Sequence, residues 1–311
     1  MNAEVSQLGA RSVTARAYGK INVFLSVGPQ RADGYHDLVS VFQTLDLAET
    51  VTIAPAAETA VTLTGPRADT TIPLDGRNLA VQAIEKLSAA ADTHIPVSIT
   101  IDKQVPVAGG MGGGSADAAA ALTAYAGLIG CDDTALLQQL ASELGADVPF
   151  ALTGGTAIGT GRGDELVPVA GSGDFHWVLA TSTESLSTPE VYRALDELRS
   201  ETAAVSDSLR QPDAVIAALT SGDPHALADV LHNDMTAAAI ELMPGIAEVM
   251  ESGERAGALA ALVSGSGPTV GFLVADTTHA LDLAVLLEAS RGVRDVVRTS
   301  SPAGGAHIIA G

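Results

Sequence analysis

The sequence predicts an α+β fold in two domains. Three observations carry this: strands dominate the first part of the chain, helices come in groups, and 311 residues suffice for two domains. A doubly wound parallel sheet would alternate strand and helix throughout. Hydrophobic residues make up 47% and charged residues 17%, the balance of a packed chain and not a disordered one.

Residues 13 to 27, VTARAYGKINVFLSV, form a first strand: Arg16, Tyr18, Lys20 and Asn22 share one face, and Ala17, Ile21, Val23 and Leu25 the other. LVSVFQTLDL, TVTIAP and AVTLTG read as further strands. Asn78 to Ala90 has helical period and gives way to the strand PVSITID. A glycine stretch follows, then an apolar helix from Ser115 to Ile129. A second helix, TALLQQLASEL, stops at Gly145, which suits a left-handed C-cap. Past residue 165 the pattern becomes a second α+β layer: the strand FHWVLAT, helices near 188–199, 212–220, 224–232 and 243–253, and the hairpin ALVSGSGPTVGFLV. A helix at 278–290 and a last strand near His307 complete it. The domains are therefore expected at 1–164 and 165–311, with a mobile surface loop over 200–213.

Acidic residues outnumber basic ones 37 to 16, for a formal net charge of −21. Such a surface repels phosphate backbones and anionic lipid, so no nucleic-acid or membrane partner is expected. An anionic ligand would need a local device acting against that field. The single cysteine, Cys131, excludes an internal disulfide, and no Cys/His spacing suggests zinc. The start MNAEVSQLGARS lacks the apolar run of a signal peptide, and the apolar stretch from Leu259 is broken by SGSGP. The expectation is a cytoplasmic protein, a monomer or weak homodimer.

The glycine stretch supplies the local device. In PVAGGMGGGSADAAAAL, residues 106–122, five glycines fall within six positions between a strand and a helix. Such a loop aims backbone N–H groups in one direction, and the helix macrodipole adds about half a positive charge there. Phosphate oxygens can then approach bare backbone. A P-loop would need a lysine that Gly109 to Ser115 lacks, and from Gly110 the third glycine of a dinucleotide fingerprint falls on Ser115. A turn that merely lets two elements pack closely is the alternative.

Other residues stand out for their surroundings. Lys20, one of three lysines, lies mid-strand among apolar residues, with Asn22 on the same face; it is either a functional cation or an edge guard. Asp147 in LGADVPFAL is a turn residue, unless Val148, Phe150 and Leu152 draw the segment inward. There its carboxylate would need a cation such as Lys20. Tyr35 and His36 end the turn-rich RADGYH, and Tyr192 lies in STPEVY. Each reads equally as a packing or surface residue.

The loop pattern, Pro-x3-Gly-Met-Gly-Gly-Gly-Ser-Ala-Asp-Ala-Ala, resembles the phosphate loop of the GHMP small-molecule kinases (galactose, homoserine, mevalonate and phosphomevalonate kinases). AYGKINVFLSVGPQRADGYHDL, LGADVPFAL, STPEVY, HNDM and VSGSGP narrow the resemblance to a branch whose alcohol substrate carries a cytidine diphosphate, in the non-mevalonate route to isoprenoid precursors. Met111 replaces a usual leucine, and Ala116-Asp117 stand where Ser-Asn is common, which removes one hydroxyl. The resemblance implies an N-terminal ATP-binding domain like domain 2 of ribosomal protein S5 and a ferredoxin-like C-terminal substrate domain. It implies Lys20 and Asp147 as the catalytic pair, with Asp147 the general base. Pro106, Val107, Ala108, Gly109, Gly110, Met111, Gly112, Gly113, Gly114, Ser115 and Ala116 would hold ATP, with Asn78 and Lys103 at the adenine and Ser115 on Mg2+. Asn22, Tyr35, His36, Tyr192 and the backbone of Gly265, Ser266 and Gly267 would hold the substrate. The competing expectations are a homoserine- or mevalonate-type kinase, against which RADGYH argues, and a non-catalytic ligand sensor, against which Lys20 with Asp147 argues.

Overall fold

β1 (Val13–Gln30) is the hub of the first sheet. The structure, a computed structural model, describes residues 11–107, 109–202 and 209–311. β1 lies antiparallel to β2 (His36–Pro55) and to β12 (His307–Ala310), and parallel to the two-residue β8 (His232–Asn233). β2 runs 20 residues without a break where the sequence reads two strands. The pairing shifts register instead: Tyr18 faces Ala48 but Lys20 faces Thr44. Past that shift β2 changes neighbours. Its Thr50–Pro55 part pairs with β4 (Val97–Asp102), which carries β3 (Ala60–Thr64) in parallel. Its Ser40–Gln43 part pairs with β5 (Thr156–Thr160), which carries β6 (Glu165–Pro168).

α1 (Leu79–Ala90), α2 (Gly113–Ile129), α3 (Thr134–Leu144) and α4 (Val148–Thr153) build the core against this sheet. Alanines 116, 118–121 and 124 of α2 are buried in it beside Ile53, Ile99 and Ile101, so the helix lies close to the strands. α2 begins at Gly113, not at Ser115 as expected, which brings two glycines into its first turn. Among the described residues no helix is long and apolar enough to cross a membrane.

The second sheet comprises β7 (Phe175–Ser182), β9 (Ala260–Val263), β10 (Val270–Val274) and β11 (Val293–Ser301), all antiparallel, in the order β11-β7-β10-β9. That order is ferredoxin-like, as expected. α5 (Thr188–Thr202), α6 (Asp213–Ser221), α7 (Pro224–Ala228), α8 (Thr236–Leu242), α9 (Gly245–Arg255) and α10 (Thr277–Glu288) complete this half. Ile246, Val249, Leu283 and Leu287 of α9 and α10 pack on Val178 and Phe272. A third cluster joins the sheets, setting Ile21, Val23 and Leu45 against Trp177, Leu179 and Leu273.

Several expectations change. The helix expected over 224–232 ends at Ala228, because His232 and Asn233 pair with β1. α8 and β11 have no counterpart in the sequence reading. The last strand, β12, joins the first sheet and not the second layer. The division at 164/165 falls at the end of the β5–β6 turn, between paired strands of the first sheet. Of the loop expected over 200–213, α5 and α6 take the ends, and residues 203–208 lie outside the described residues.

Candidate active site

The register shift in β1 places Lys20. Its amide donates to Met111 O at 2.9 Å, which ties the glycine loop to the strand. Its side chain enters a chamber of about 360 Å³ lined also by Asn22, Ser40, Phe42, Gly112, Ser115 and Asp147. Lys20 Nζ donates to Asn22 Oδ1 at 2.7 Å and stands 3.5 Å from Asp147 Oδ2. Asn22 is fixed in turn, donating to Ser40 Oγ at 2.8 Å, and Ser40 donates to Phe24 O at 2.9 Å. The ammonium also lies 5.6 Å from the Phe42 ring centroid. Asp147 occupies the N-cap position of α4 but makes no side-chain cap bond, and its side chain keeps 34% exposure. Val148 and Phe150 are buried while Leu152 is only half-buried, so the segment turns inward and leaves the carboxylate on the chamber wall.

The glycine loop forms the boundary with a second cavity, of about 330 Å³. Thr71, Ile72, Pro73, Leu79, Pro106, Val107, Gly109 and Gly113 are among its lining, and the two cavities share Gly110 and Gly112. Both shared glycines have positive φ, 73° and 69°. A Cβ at Gly110 would run into Ser264 O, and one at Gly112 would stand 3.3 Å from Lys20 Cγ, so the loop needs bare backbone at both. The first N–H groups of α2 have no partner within the helix and open beside this boundary. Ala108 lies outside the described residues. Ala116 lines neither cavity but packs in the core.

Asn78 and Lys103 line the second cavity with committed polar groups. Asn78 caps α1, accepting from Ala80 N at 2.9 Å and donating to Pro73 O at 2.8 Å. Lys103, 2% exposed, sits between Glu49 (2.6 Å) and Asp117 (2.7 Å). Two buried carboxylates share one ammonium. Burial pushes the Glu49 carboxyl up to about 7 and raises Asp117 as well. Burial would lower Lys103, but the two carboxylates outweigh it and raise the ammonium. Glu49 also accepts from Gln104 N at 2.9 Å and Val105 N at 3.3 Å, so the triad braces the segment leading into the glycine loop.

On the other side the chamber opens into a cavity of about 830 Å³. The two share Leu38, Ala146, Arg162, Thr188 and Tyr192. Here His36 and Tyr192 stack, with ring centroids 4.9 Å apart and an interplanar angle of 24°. Buried His36 also bonds through Nε2 to Asp196 Oδ1 at 3.0 Å. Burial first, then the charge of Asp147, pushes the Tyr192 hydroxyl up to about 12. Tyr35, 58% exposed, completes the wall.

In the β9–β10 loop, a Cβ at Gly265 would stand 3.5 Å from Asn22 Oδ1, and Ser266 Oγ is 2.8 Å from Thr188 Oγ1. Both residues line the chamber. Gly267 does not: a Cβ there would meet Val263, Leu186 and Ala239. The structure thus gathers Lys20, Asn22, Asp147, Ser115, Gly265 and Ser266 in one chamber, with a cavity on each side. Sequence reading missed Glu49 and Asp196, whose partners lie far along the chain, and Arg162, which pairs with nearby Asp164 but meets Tyr35 only in the fold. Of these, only Arg162, between two glycines in TGRGDE, carries a local signal.

A glycine loop at a helix N-terminus, opening on a chamber with a Lys–Asp pair, defines a small-molecule phosphotransferase. The comparisons agree. The sequence pattern of the GHMP kinases N terminal domain matches residues 78–155, and that of the GHMP kinases C terminal domain residues 215–285. The chain is 53% identical over 304 residues to the 4-diphosphocytidyl-2-C-methyl-D-erythritol kinase of Leifsonia xyli subsp. xyli, covering 96% of this chain and 99% of that protein. It is 46% identical over 300 residues to the kinase of the same name from Mycolicibacterium smegmatis, covering 96% and 92%. Among solved structures, a 4-(cytidine 5'-diphospho)-2C-methyl-D-erythritol kinase superposes with a TM-score of 0.76 at 30% identity, covering 94% of this chain and all of the other. The homoserine kinase of Cytophaga hutchinsonii reaches 0.72 at 17% identity, covering 96% and 97%, a likeness of fold alone. The chain belongs to the GHMP kinases and is an ATP-dependent small-molecule kinase.

Proposed function

We propose that this kinase phosphorylates the 2-hydroxyl of 4-diphosphocytidyl-2-C-methyl-D-erythritol, the substrate named in its relatives, and serves the non-mevalonate route to isoprenoid precursors. The observation that carries this reading is the continuity of the three cavities. The Lys20–Asp147 chamber shares glycines with one neighbour and Tyr192 with the other. ATP would lie along the glycine loop with its γ-phosphate at the chamber. The cytidine would lie in the aromatic cavity, its base between Tyr35 and the stacked pair of His36 and Tyr192.

In this arrangement Asp147 takes the proton from the attacking hydroxyl. Lys20, held by Asn22, stabilises the charge that develops on the transferring phosphoryl group, and the α2 amides contribute to the same charge stabilisation. Transfer is direct, and no phosphoenzyme forms. Among the described residues no cluster of three acidic, His or Cys side chains could cage a metal. That fits Mg2+, which keeps several waters and binds chiefly through nucleotide phosphates. Ser115, on the chamber wall, would be its protein ligand and ATP its carrier. A reaction that consumes ATP suits the cytoplasm, and a monomer or weak homodimer suffices because one chain lines all three cavities.

A kinase assay over a substrate panel tests the reading. The cytidylated methylerythritol should be phosphorylated with a far higher kcat/KM than methylerythritol phosphate, homoserine or mevalonate. A better rate with homoserine or mevalonate would move the chain to another GHMP specificity, and tight binding without transfer would make it a ligand sensor.

A further inference from the structure

The neck between the chamber and the aromatic cavity is lined by a guanidinium to which the catalytic reading gives no role. Arg162 stands at the tip of the β5–β6 hairpin, between Gly161 and Gly163, both with positive φ (65° and 93°). The turn is pinned: Leu38 N donates to Gly161 O at 2.8 Å, and Gly163 N to Thr160 O at 2.9 Å. The guanidinium lies 5.9 Å from the Tyr35 ring centroid and meets Asp164 Oδ2 at 3.3 Å.

Three cationic side chains line these two cavities: Lys20, Arg162 and Arg193. Lys20 is held by Asn22 and Asp147. Arg193 lines only the aromatic cavity and faces Glu197 at 3.9 Å. Arg162 alone lines both cavities. A substrate with its base in the aromatic cavity and its hydroxyl at Asp147 must pass its linker through this neck. The chain carries a net charge of −21, so an anionic linker meets repulsion unless a cation stands there.

We propose that Arg162 binds the linker and selects for a diphosphate, a deepening that rests on the reading of the aromatic cavity as a base site. A guanidinium presents paired N–H donors that match two phosphate oxygens, a geometry a lysine ammonium lacks. The Tyr35 ring, 5.9 Å from the guanidinium carbon, supports the cation through its π face. Its ion pair with Asp164, the one it makes among the described residues, involves a half-exposed guanidinium and can be exchanged for phosphate. Tyr35 then contributes to both ends of recognition, as a platform for the base and for the cation beside it.

The test compares cytidine with cytidine diphosphate by calorimetric titration, with the nucleotide site first saturated by a non-hydrolysable ATP analogue and Mg2+. Wild type should prefer the diphosphate by about ten- to a hundredfold, the range of a charge-assisted pair. Arg162→Ala should lose most of that preference and leave cytidine affinity unchanged, and Arg162→Lys should recover only part of it. An unchanged preference in Arg162→Ala, or equal weakening of both ligands, would overturn the proposal. If wild type binds neither ligand, the base site itself is wrong and the inference falls with it.

Discussion

Lys20 and Asp147 face each other with 3.5 Å between Nζ and Oδ2, although one comes from the irregular centre of a long strand and the other from the start of a short helix. Neither position is free to drift. Lys20 is tied through its amide to Met111 and through its ammonium to Asn22, and buried Val148 and Phe150 anchor the start of α4. Asp147→Asn keeps the shape but cannot take a proton. Its kcat should fall by about 10²–10⁴, the usual loss for a general base, with nucleotide affinity unchanged. A kcat within a few-fold of wild type would make Asp147 a turn residue only.

Steric access to the glycine loop gives a second prediction. A Cβ at Gly114 meets only Leu79 Cδ1, at 3.6 Å, whereas one at Gly113 meets Val105 and Glu49 at 3.3 Å. Gly114→Val therefore projects toward the cavity without forcing the core. The KM for ATP should rise at least tenfold while the melting temperature holds. Unaltered ATP kinetics would show that phosphate does not approach here.

Tyr35 is exposed, so its removal costs the fold little. Tyr35→Ala should lose about 1–3 kcal/mol in kcat/KM for the cytidylated substrate, the worth of one stacked base. Slow ATP hydrolysis without acceptor should not change. An equal loss in both rates would point to a general disturbance and not to base recognition.

The buried triad predicts a pH effect on stability. Folding raises the Glu49 carboxyl from its ordinary 4.5 to about 7, mainly by burial. Between those pH values the folded state holds a proton that the unfolded state has released. Stability from this group is therefore greatest at low pH and is lost as pH rises through that window. Glu49→Gln removes the titration, so the melting temperature of wild type relative to this variant should fall between pH 5 and pH 7.5. A constant difference across that range would show that Glu49 titrates as an ordinary carboxyl.

What the sequence made legible was local. Lys20 and Asn22 share a face because strand period is two, and the glycine run sits between strand and helix by simple succession. What stayed hidden was non-local. Glu49, Lys103 and Asp117 meet only once β2, the segment after β4 and α2 are assembled, and His36 finds Asp196 on α5 of the other half. β11, VRDVVRTSS, escaped notice because an edge strand with two arginines and half-exposed positions gives no clean alternation. α8 has seven residues, too few for helical period to register.

The pairing of β12 with β1 bears on how the protein is made. A ribosome delivers β1 before, and β12 only after, every strand of the ferredoxin-like half, so one flank of the first sheet stays open while that half is made. Ala306 N donates to Leu152 O, and Ile308 seats against Gly127, so the late strand also fastens α4 and α2. Native assembly of the first sheet thus waits for a strand made after the ferredoxin-like half, and the nascent chain must shield an unpaired strand edge until then.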